Sequence, residues 1–212
     1  MVDLKGMSKK KKAEYIWEYY KLHIIGVLVV ICIIASLIHG QITKVDYVFN
    51  LTMLGNTVDT NKMTDLETSL TKVVVSNGDK KKQATIGNMS LGGSDNSDPT
   101  MSSQYMQKFV AQLSVGELDV VILDKDMFES FAKQNMFLRL DNISGLDLNS
   151  IKAEKIEVAG ENNIKAVYAI NAKDIKAFKD VGFDTTNKVI GIISTTKQKT
   201  NSALVLTWLL NK

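Results

Sequence analysis

The sequence is poor in the residues that most often carry out chemistry. Among 212 residues it has one cysteine, Cys32, two histidines, His23 and His39, and a single arginine, Arg139. One cysteine excludes an internal disulfide and a cysteine-ligated zinc or iron site. Because no histidine or cysteine follows His39, Ser-His-Asp and Cys-His catalysis are excluded from the rest of the chain. We therefore expect no cofactor, no metal site and no enzymatic activity.

Proline and net charge are also scarce. There is one proline, and 26 basic residues against 23 acidic ones give a net charge of +3. A balance this close does not favour nucleic acid as a partner. With 45% hydrophobic residues the chain is far from a disordered composition. The length allows one domain of ordinary size, or one domain plus an appendage.

The longest apolar run extends from Leu22 to Ile38 and contains no Asp, Glu, Lys or Arg. With Tyr19 and Tyr20 it reaches the ~20 residues that a helix needs to cross ~30 Å of hydrocarbon. We predict a transmembrane helix over residues 19–39. The run is longer than a signal-peptide core and lacks an A-x-A cleavage pattern, which favours an uncleaved anchor over a cleaved signal peptide.

Lysines predict the orientation of this helix. Lys5, Lys9–Lys12 and Lys21 precede the run, whereas only Lys44 closely follows it. The positive-inside rule places residues 1–18 in the cytoplasm and residues 40–212 outside the cell. Lys9–Lys12 could also bind anionic lipid, although setting topology is the simpler interpretation. The lysine-rich, arginine-poor composition suggests a bacterial, Gram-positive-type cell membrane.

After Gln41 the chain contains short apolar blocks, some with the residue spacing of a strand and others with that of an amphipathic helix. Strands are predicted over 45–54, 83–91, 119–123, 155–170 as a hairpin, and 189–194, with an apolar return at 136–140; helices are predicted over 63–75, 100–115, 126–134, 172–181 and 202–210. Strand-helix alternation predicts an α/β fold, with a largely parallel but mixed sheet flanked by helices.

Several short motifs resemble the extracellular solute-binding proteins of ABC transporters, of the type 2 periplasmic-binding-protein-like class. They are Gly116–Asp124, Phe131 with Ala132, Phe137–Asp141, Lys165–Ile170, Val189–Ile192, and Asn201, Ala203, Trp208 and Leu209. The resemblance covers roughly residues 45–212. That family closes two lobes on a ligand, and this chain has room for about one lobe. The resemblance therefore implies a shortened solute-binding fold carried by a spanning helix.

A ligand of such a sheet should bind beyond the carboxyl ends of its strands. The candidate binding residues there are Gly55, Asn56, Gly92, Gly93, Ser94, Asp95, Asp98 and Asp124. Gly, Ser, Asn and Asp are also typical turn residues, and turn formation remains the simpler interpretation. Oxygen ligands at Asp95, Asn96 and Asp98 do not have the spacing of an EF-hand calcium loop.

These observations predict an extracytoplasmic binding or interaction module anchored in the lipid bilayer. Its expected partners are a small solute or a membrane protein, and not nucleic acid. The first alternative is an accessory subunit of a membrane complex, with Gly26, Ala35 and Ser36 as small residues for helix packing. A distant third is an enzyme that uses the carboxylates of Asp124 and Asp126.

Overall fold

A computed structural model of the chain describes residues 8–42, 44–56, 58–89, 99–159 and 165–211. The chain divides into two compact units, Met1–Lys44 and Val45–Lys212. The candidate residues Gly92, Gly93, Ser94, Asp95 and Asp98 lie outside the described residues, as does the tip of the predicted hairpin at 160–164.

The first unit contains one helix, α1 (Lys9–Ile42). Its segment Trp17–Ile42 is 26 residues long, none of its most apolar window is buried, and it is the one helix in the described residues that is long and apolar enough to span a membrane. The helix includes the predicted 19–39 and extends it at both ends. Leu22 and Leu37 expose 75% and 67% of their surface, so α1 buries no apolar core of its own.

The second unit is built on a six-stranded sheet of order β2-β1-β3-β6-β5-β4. The strands are β1 (Asp46–Leu54), β2 (Lys82–Met89), β3 (Val120–Asp124), β4 (Lys155–Ala159), β5 (Lys165–Asn171) and β6 (Lys188–Ile192). β1 is parallel to both β2 and β3. β6 is antiparallel to β3 and β5, and β4 is antiparallel to β5. The predicted α/β fold with a mixed sheet is confirmed, but the sheet is not largely parallel, because three of its five strand pairs are antiparallel and the parallel pairs are confined to the first half.

In the part of the unit that the structure describes, five α-helices accompany the sheet: α2 (Thr60–Val74), α3 (Pro99–Val115), α4 (Lys125–Ala132), α5 (Lys176–Asp180) and α6 (Lys199–Asn211). Buried residues of α2, α5 and α6 share one core cluster, and those of α3 and α4 share a second. Alternate residues of β3 divide between them, with Val120 and Ile122 in the first and Val121 and Leu123 in the second. This two-sided burial explains why β3 is a continuous apolar run.

Most predicted elements differ from the observed ones by a few residues at their ends, and two differ more. The helix expected over 172–181 is limited to α5, because Ile175 has an extended backbone at its start and Ala172 donates its N–H to the Lys188 carbonyl at 2.9 Å. The apolar return at 136–140 makes a single antiparallel bridge, between Phe137 and Ile193, and then enters a 3-10 turn at Leu140–Asn142.

Candidate functional site

The carboxyl ends of β1 and β3 lie beside each other, as expected for neighbouring parallel strands. Gly55 and Asn56 follow β1, and Asp124 ends β3. The chain leaves β1 toward α2 and β2, and leaves β3 toward the opposite half of the sheet. Such a divergence is where open α/β sheets form a crevice. The structure therefore brings together the three candidate residues that it describes.

A lysine that the sequence analysis did not single out lies at the centre of this edge. Lys188 begins β6 and is the register partner of Asp124 across the antiparallel β3–β6 pair. Its Nζ donates to Asp124 Oδ2 at 2.9 Å and to the Leu54 carbonyl at 3.0 Å. Lys188 is only 6% exposed, so its charge is stabilised by these two acceptors instead of by water.

Gly55 leaves room for that amino group. A Cβ placed on Gly55 would lie 3.1 Å from Lys188 Nζ and 3.0 Å from two ring atoms of Phe183. The ring of Phe183 in turn lies beneath the ammonium, with Nζ 5.8 Å from its centroid. A cation near an aromatic face gains further electrostatic stabilisation. Gly55 is thus a steric requirement of the site, beyond its role in ending a strand.

Asn56 connects the same edge to the loop that follows α5. Its Oδ1 accepts from the Asp184 N–H at 2.8 Å, and its Nδ2 donates to the Gly182 carbonyl at 3.0 Å. Its own carbonyl accepts from Asn88 Nδ2 at 3.2 Å. The Oδ1 atom of Asn88 is buried and has no hydrogen-bond partner among the described residues. Asn56 therefore fixes the geometry of the edge through both ends of its amide.

Asp184, whose N–H donates to Asn56, is a further charged residue near this edge. Its Oδ1 accepts from the Thr186 N–H at 2.9 Å. That backbone hydrogen bond, helped by the Thr186 side chain and by the charge of Lys188, holds the pKa of Asp184 below its ordinary value. Asp184 consequently stays ionised near Lys188 at neutral pH. Asp184 thus adds an electrostatic interaction with Lys188 to the ion pair that Lys188 makes with Asp124.

The carboxyl edge of β1 and β3 offers hydrogen-bond acceptors to a ligand. The side chain of Asp124 is 49% exposed, and one of its oxygens is paired with Lys188. A half-exposed carboxylate and backbone groups at a sheet edge can accept hydrogen bonds from N–H, O–H or ammonium groups.

A buried carboxylate lies just before β3, at the end of that strand opposite to Asp124. Asp119, just before β3, accepts from the Asn50 N–H at 2.8 Å through Oδ2 and from the Thr196 hydroxyl through Oδ1. It is 5% exposed, and burial raises its pKa above the ordinary value despite these hydrogen bonds. Asp119 joins β1 to the segment after β6. This structural role explains the aspartate of the Gly116–Asp124 motif.

Comparisons with known proteins add little to this geometry. No protein-family model matches the sequence, and no curated protein matches it. Among solved structures the chain is similar to an extracellular solute-binding protein family 1 from Alicyclobacillus acidocaldarius subsp. acidocaldarius DSM 446, with a TM-score of 0.35 and 16% identity. The match covers 60% of this chain and 28% of that one, so the chain spans less than a third of that protein. This likeness does not establish membership of the family.

Proposed function

We propose that this chain is a membrane-anchored binding module whose α/β unit lies outside the cytoplasm. One observation carries the proposal: the chain combines an apolar helix with a separate compact α/β unit. The apolar part of the helix is 26 residues long, and none of its most apolar window is buried. A helix with no protein core to cover is stabilised when lipid covers it. The lysines that precede the span support an inward amino terminus.

The carboxyl edge of β1 and β3 is the binding surface of this proposal. A ligand with N–H, O–H or ammonium groups would donate to Asp124 and to neighbouring backbone carbonyls, while Lys188 and Asn56 hold those acceptors in place. Sugars, peptides and amino acids supply such donors. A pre-formed arrangement of acceptors favours binding because little conformational entropy is lost when the ligand arrives.

Cysteine accessibility tests the topology. In a Cys32→Ser background we would place one cysteine at Ser8, before the span, or at Ser76, an exposed turn residue after α2. A membrane-impermeant maleimide applied to intact cells should label Ser76→Cys, and should label Ser8→Cys only after permeabilisation. The opposite pattern would place the α/β unit in the cytoplasm and refute the proposal.

Ligand-dependent stability tests the binding role. The full chain in lipid nanodiscs would be unfolded in the presence of sugars, peptides, amino acids or calcium. A ligand at a hundredfold excess over Kd should add about 2.7 kcal/mol to the free energy of unfolding. The gain should disappear in Asp124→Ala. If no compound stabilises the folded chain, a solute-binding role is rejected in favour of a protein partner.

A further inference from the structure

A cavity lies where the sheet divides beside β6. Along β6, Gly191 pairs with Ala169 of β5. One residue later the Ile192 carbonyl accepts from the Leu138 N–H at 2.8 Å, and Ile193 bridges to Phe137. The neighbour of β6 thus changes from β5 to the segment at 136–138. Because β5 and the segment at 136–138 lie on the same side of β6, they diverge from each other. The cavity lies where they diverge.

This cavity, called the fork cavity, has a volume of about 560 Å³. Leu138 and Tyr168 supply apolar surface, and Arg139 and Lys199 supply positive charge. Phe137 also borders the cavity but is only 3% exposed. None of the described residues that line it is an aspartate or a glutamate. Small-molecule sites have this size range and this combination of apolar walls with a few charged groups.

Arg139 is held in a fixed orientation at the cavity. Its Nη2 lies 2.7 Å from Asp141 Oδ2, and its Nε lies 3.2 Å from Asp141 Oδ1. The guanidinium lowers the pKa of Asp141, so the pair is ionised at neutral pH. Two of the five N–H donors of the guanidinium are used in this contact, and the others remain for a further acceptor.

The packing of Phe137 beside the cavity has a steric basis in the sheet. A Cβ on Gly191 would lie 2.9 Å from Phe137 Cδ1 and 3.1 Å from the Tyr168 carbonyl oxygen. The missing side chain lets the Phe137 ring lie directly on the sheet, where its centroid is 4.8 Å from that of Phe128. Phe137 is 3% exposed and cannot move aside without breaking this packing.

We infer that the fork cavity binds a small organic anion with an apolar body, its anionic group held by Arg139 and Lys199 and its body against Leu138 and Tyr168. The planar guanidinium matches a carboxylate or a phosphate. Lys199 begins α6, so the helix dipole adds potential of the same sign. This site differs from the carboxyl edge of β1 and β3, and the inference goes beyond the proposed function.

The test measures binding of para-fluorobenzoate to the full chain in nanodiscs by broadening of its fluorine resonance. Empty nanodiscs correct for partitioning into lipid. Neutral para-fluorobenzamide has nearly the same shape, and it should bind about tenfold more weakly if the charge matters. Para-fluorophenyl phosphate, compared with the benzoate, shows whether the site prefers a phosphate or a carboxylate.

Variants locate the binding. Arg139→Gln and Lys199→Gln should each weaken benzoate binding about tenfold, since each removes one charged hydrogen-bond donor. Arg139→Lys, which keeps the charge without the planar fork, should fall between Arg139→Gln and the unmodified chain. Lys62→Gln, an exposed lysine of α2, is the matched control and should bind normally. An unfolding transition measured for each variant shows that it is folded.

Three results would overturn the inference: no broadening beyond that with empty nanodiscs, equal binding of the benzamide, or normal binding by both charge-removing variants. If Arg139→Gln does not fold, Lys199→Gln decides alone. The cysteine-labelling test of the topology does not depend on this cavity. The stability test at the carboxyl edge does not depend on it either, because a ligand bound at that edge loses its effect in Asp124→Ala. A failure here is therefore distinguishable from a failure of the proposed function.

Discussion

Lys188 and Asp124 form an ion pair across β3 and β6, with 2.9 Å between Nζ and Oδ2. The side chain of Lys188 is 8% exposed and that of Asp124 is 49% exposed. The two partners therefore differ in how they respond to losing each other. Water can replace the lysine at Asp124, but little water can reach the ammonium of Lys188.

The first prediction concerns this asymmetry. Asp124→Ala should lower the free energy of unfolding by about 1–3 kcal/mol, because a buried charged donor loses an acceptor. Urea unfolding of the full chain measures the change. Asp174→Ala is the matched control, since Asp174 also pairs with a lysine, Lys179, but is 86% exposed. Its effect should stay below about 1 kcal/mol. Equal losses in the two variants would contradict the buried role of the pair.

The second prediction concerns the space above Gly55. Gly55→Ala should destabilise the fold by about 1–3 kcal/mol, because its Cβ would require Phe183 or Lys188 to shift. Gly87→Ala is the control on a neighbouring strand. Its Cβ would lie 3.6 Å from Thr52 Oγ1, an ordinary contact, so its stability should be unchanged or slightly higher. Equilibrium unfolding of both variants checks this order, and a harmless Gly55→Ala would show that the edge is loosely packed.

The third prediction is a pH dependence from Asp119. Because burial raises its pKa, the folded chain holds this proton more tightly than the unfolded chain. The contribution of Asp119 to the free energy of unfolding is therefore largest below the ordinary aspartate pKa of about 3.9. This contribution is lost as the pH rises through the raised pKa of the folded chain.

Asp119→Asn removes this titration. The stability of the native chain relative to Asp119→Asn should fall as the pH rises from about 4 toward neutrality. Urea unfolding at several pH values measures the difference, and the subtraction removes the titration of the other carboxylates. A difference that rises with pH, or that stays constant, would show that the hydrogen bonds from Asn50 and Thr196 outweigh burial.

The fourth prediction concerns the open edge of β2. Two side chains of α2 accept from its outward N–H groups: Glu67 Oε2 from Ile86 at 2.9 Å and Thr71 Oγ1 from Ala84 at 3.0 Å. Uncovered strand edges pair with other chains. The double variant Glu67→Ala with Thr71→Ala should therefore lose about 1–3 kcal/mol and associate at concentrations where the native chain does not.

Light scattering and urea unfolding would measure these two effects. Thr68→Ala is the control on the same helix, because the Thr68 hydroxyl donates only to the Thr64 carbonyl one turn earlier. It should leave both the association state and the stability nearly unchanged. A double variant that stays dispersed would show that the edge is protected by something other than these two side chains.

Much of the second unit could be predicted from local patterns. The amphipathic spacing of Leu66 and Leu70 and the uninterrupted run before Asp124 each correspond to an observed element, α2 and β3. Burial periodicity is a local property, so it is visible in the chain. The antiparallel pairing of β6 with β3 and β5 could not be predicted from local patterns, because strand direction depends on which distant segments pair.

The candidate site shows the same division. Gly55, Asn56 and Asp124 could be proposed from their positions after strands, and the structure does place them at one edge. Lys188 could not be proposed, since nothing local distinguishes it from the other lysines. Its importance arises from its pairing with Asp124, 64 residues earlier in the chain.

The sequence by itself determined the apolar helix, the α/β class and the absence of histidine and cysteine chemistry from the second unit, because each depends on composition or on short-range periodicity. Only the tertiary structure decided which polar groups meet, the Lys188 ammonium with Asp124 and Asp119 with Asn50, and that Arg139 and Lys199 line the same cavity. The two residues of each of these pairs lie 60 or more positions apart in the printed sequence. Such contacts depend on strand order and register, which the whole chain must fold to establish.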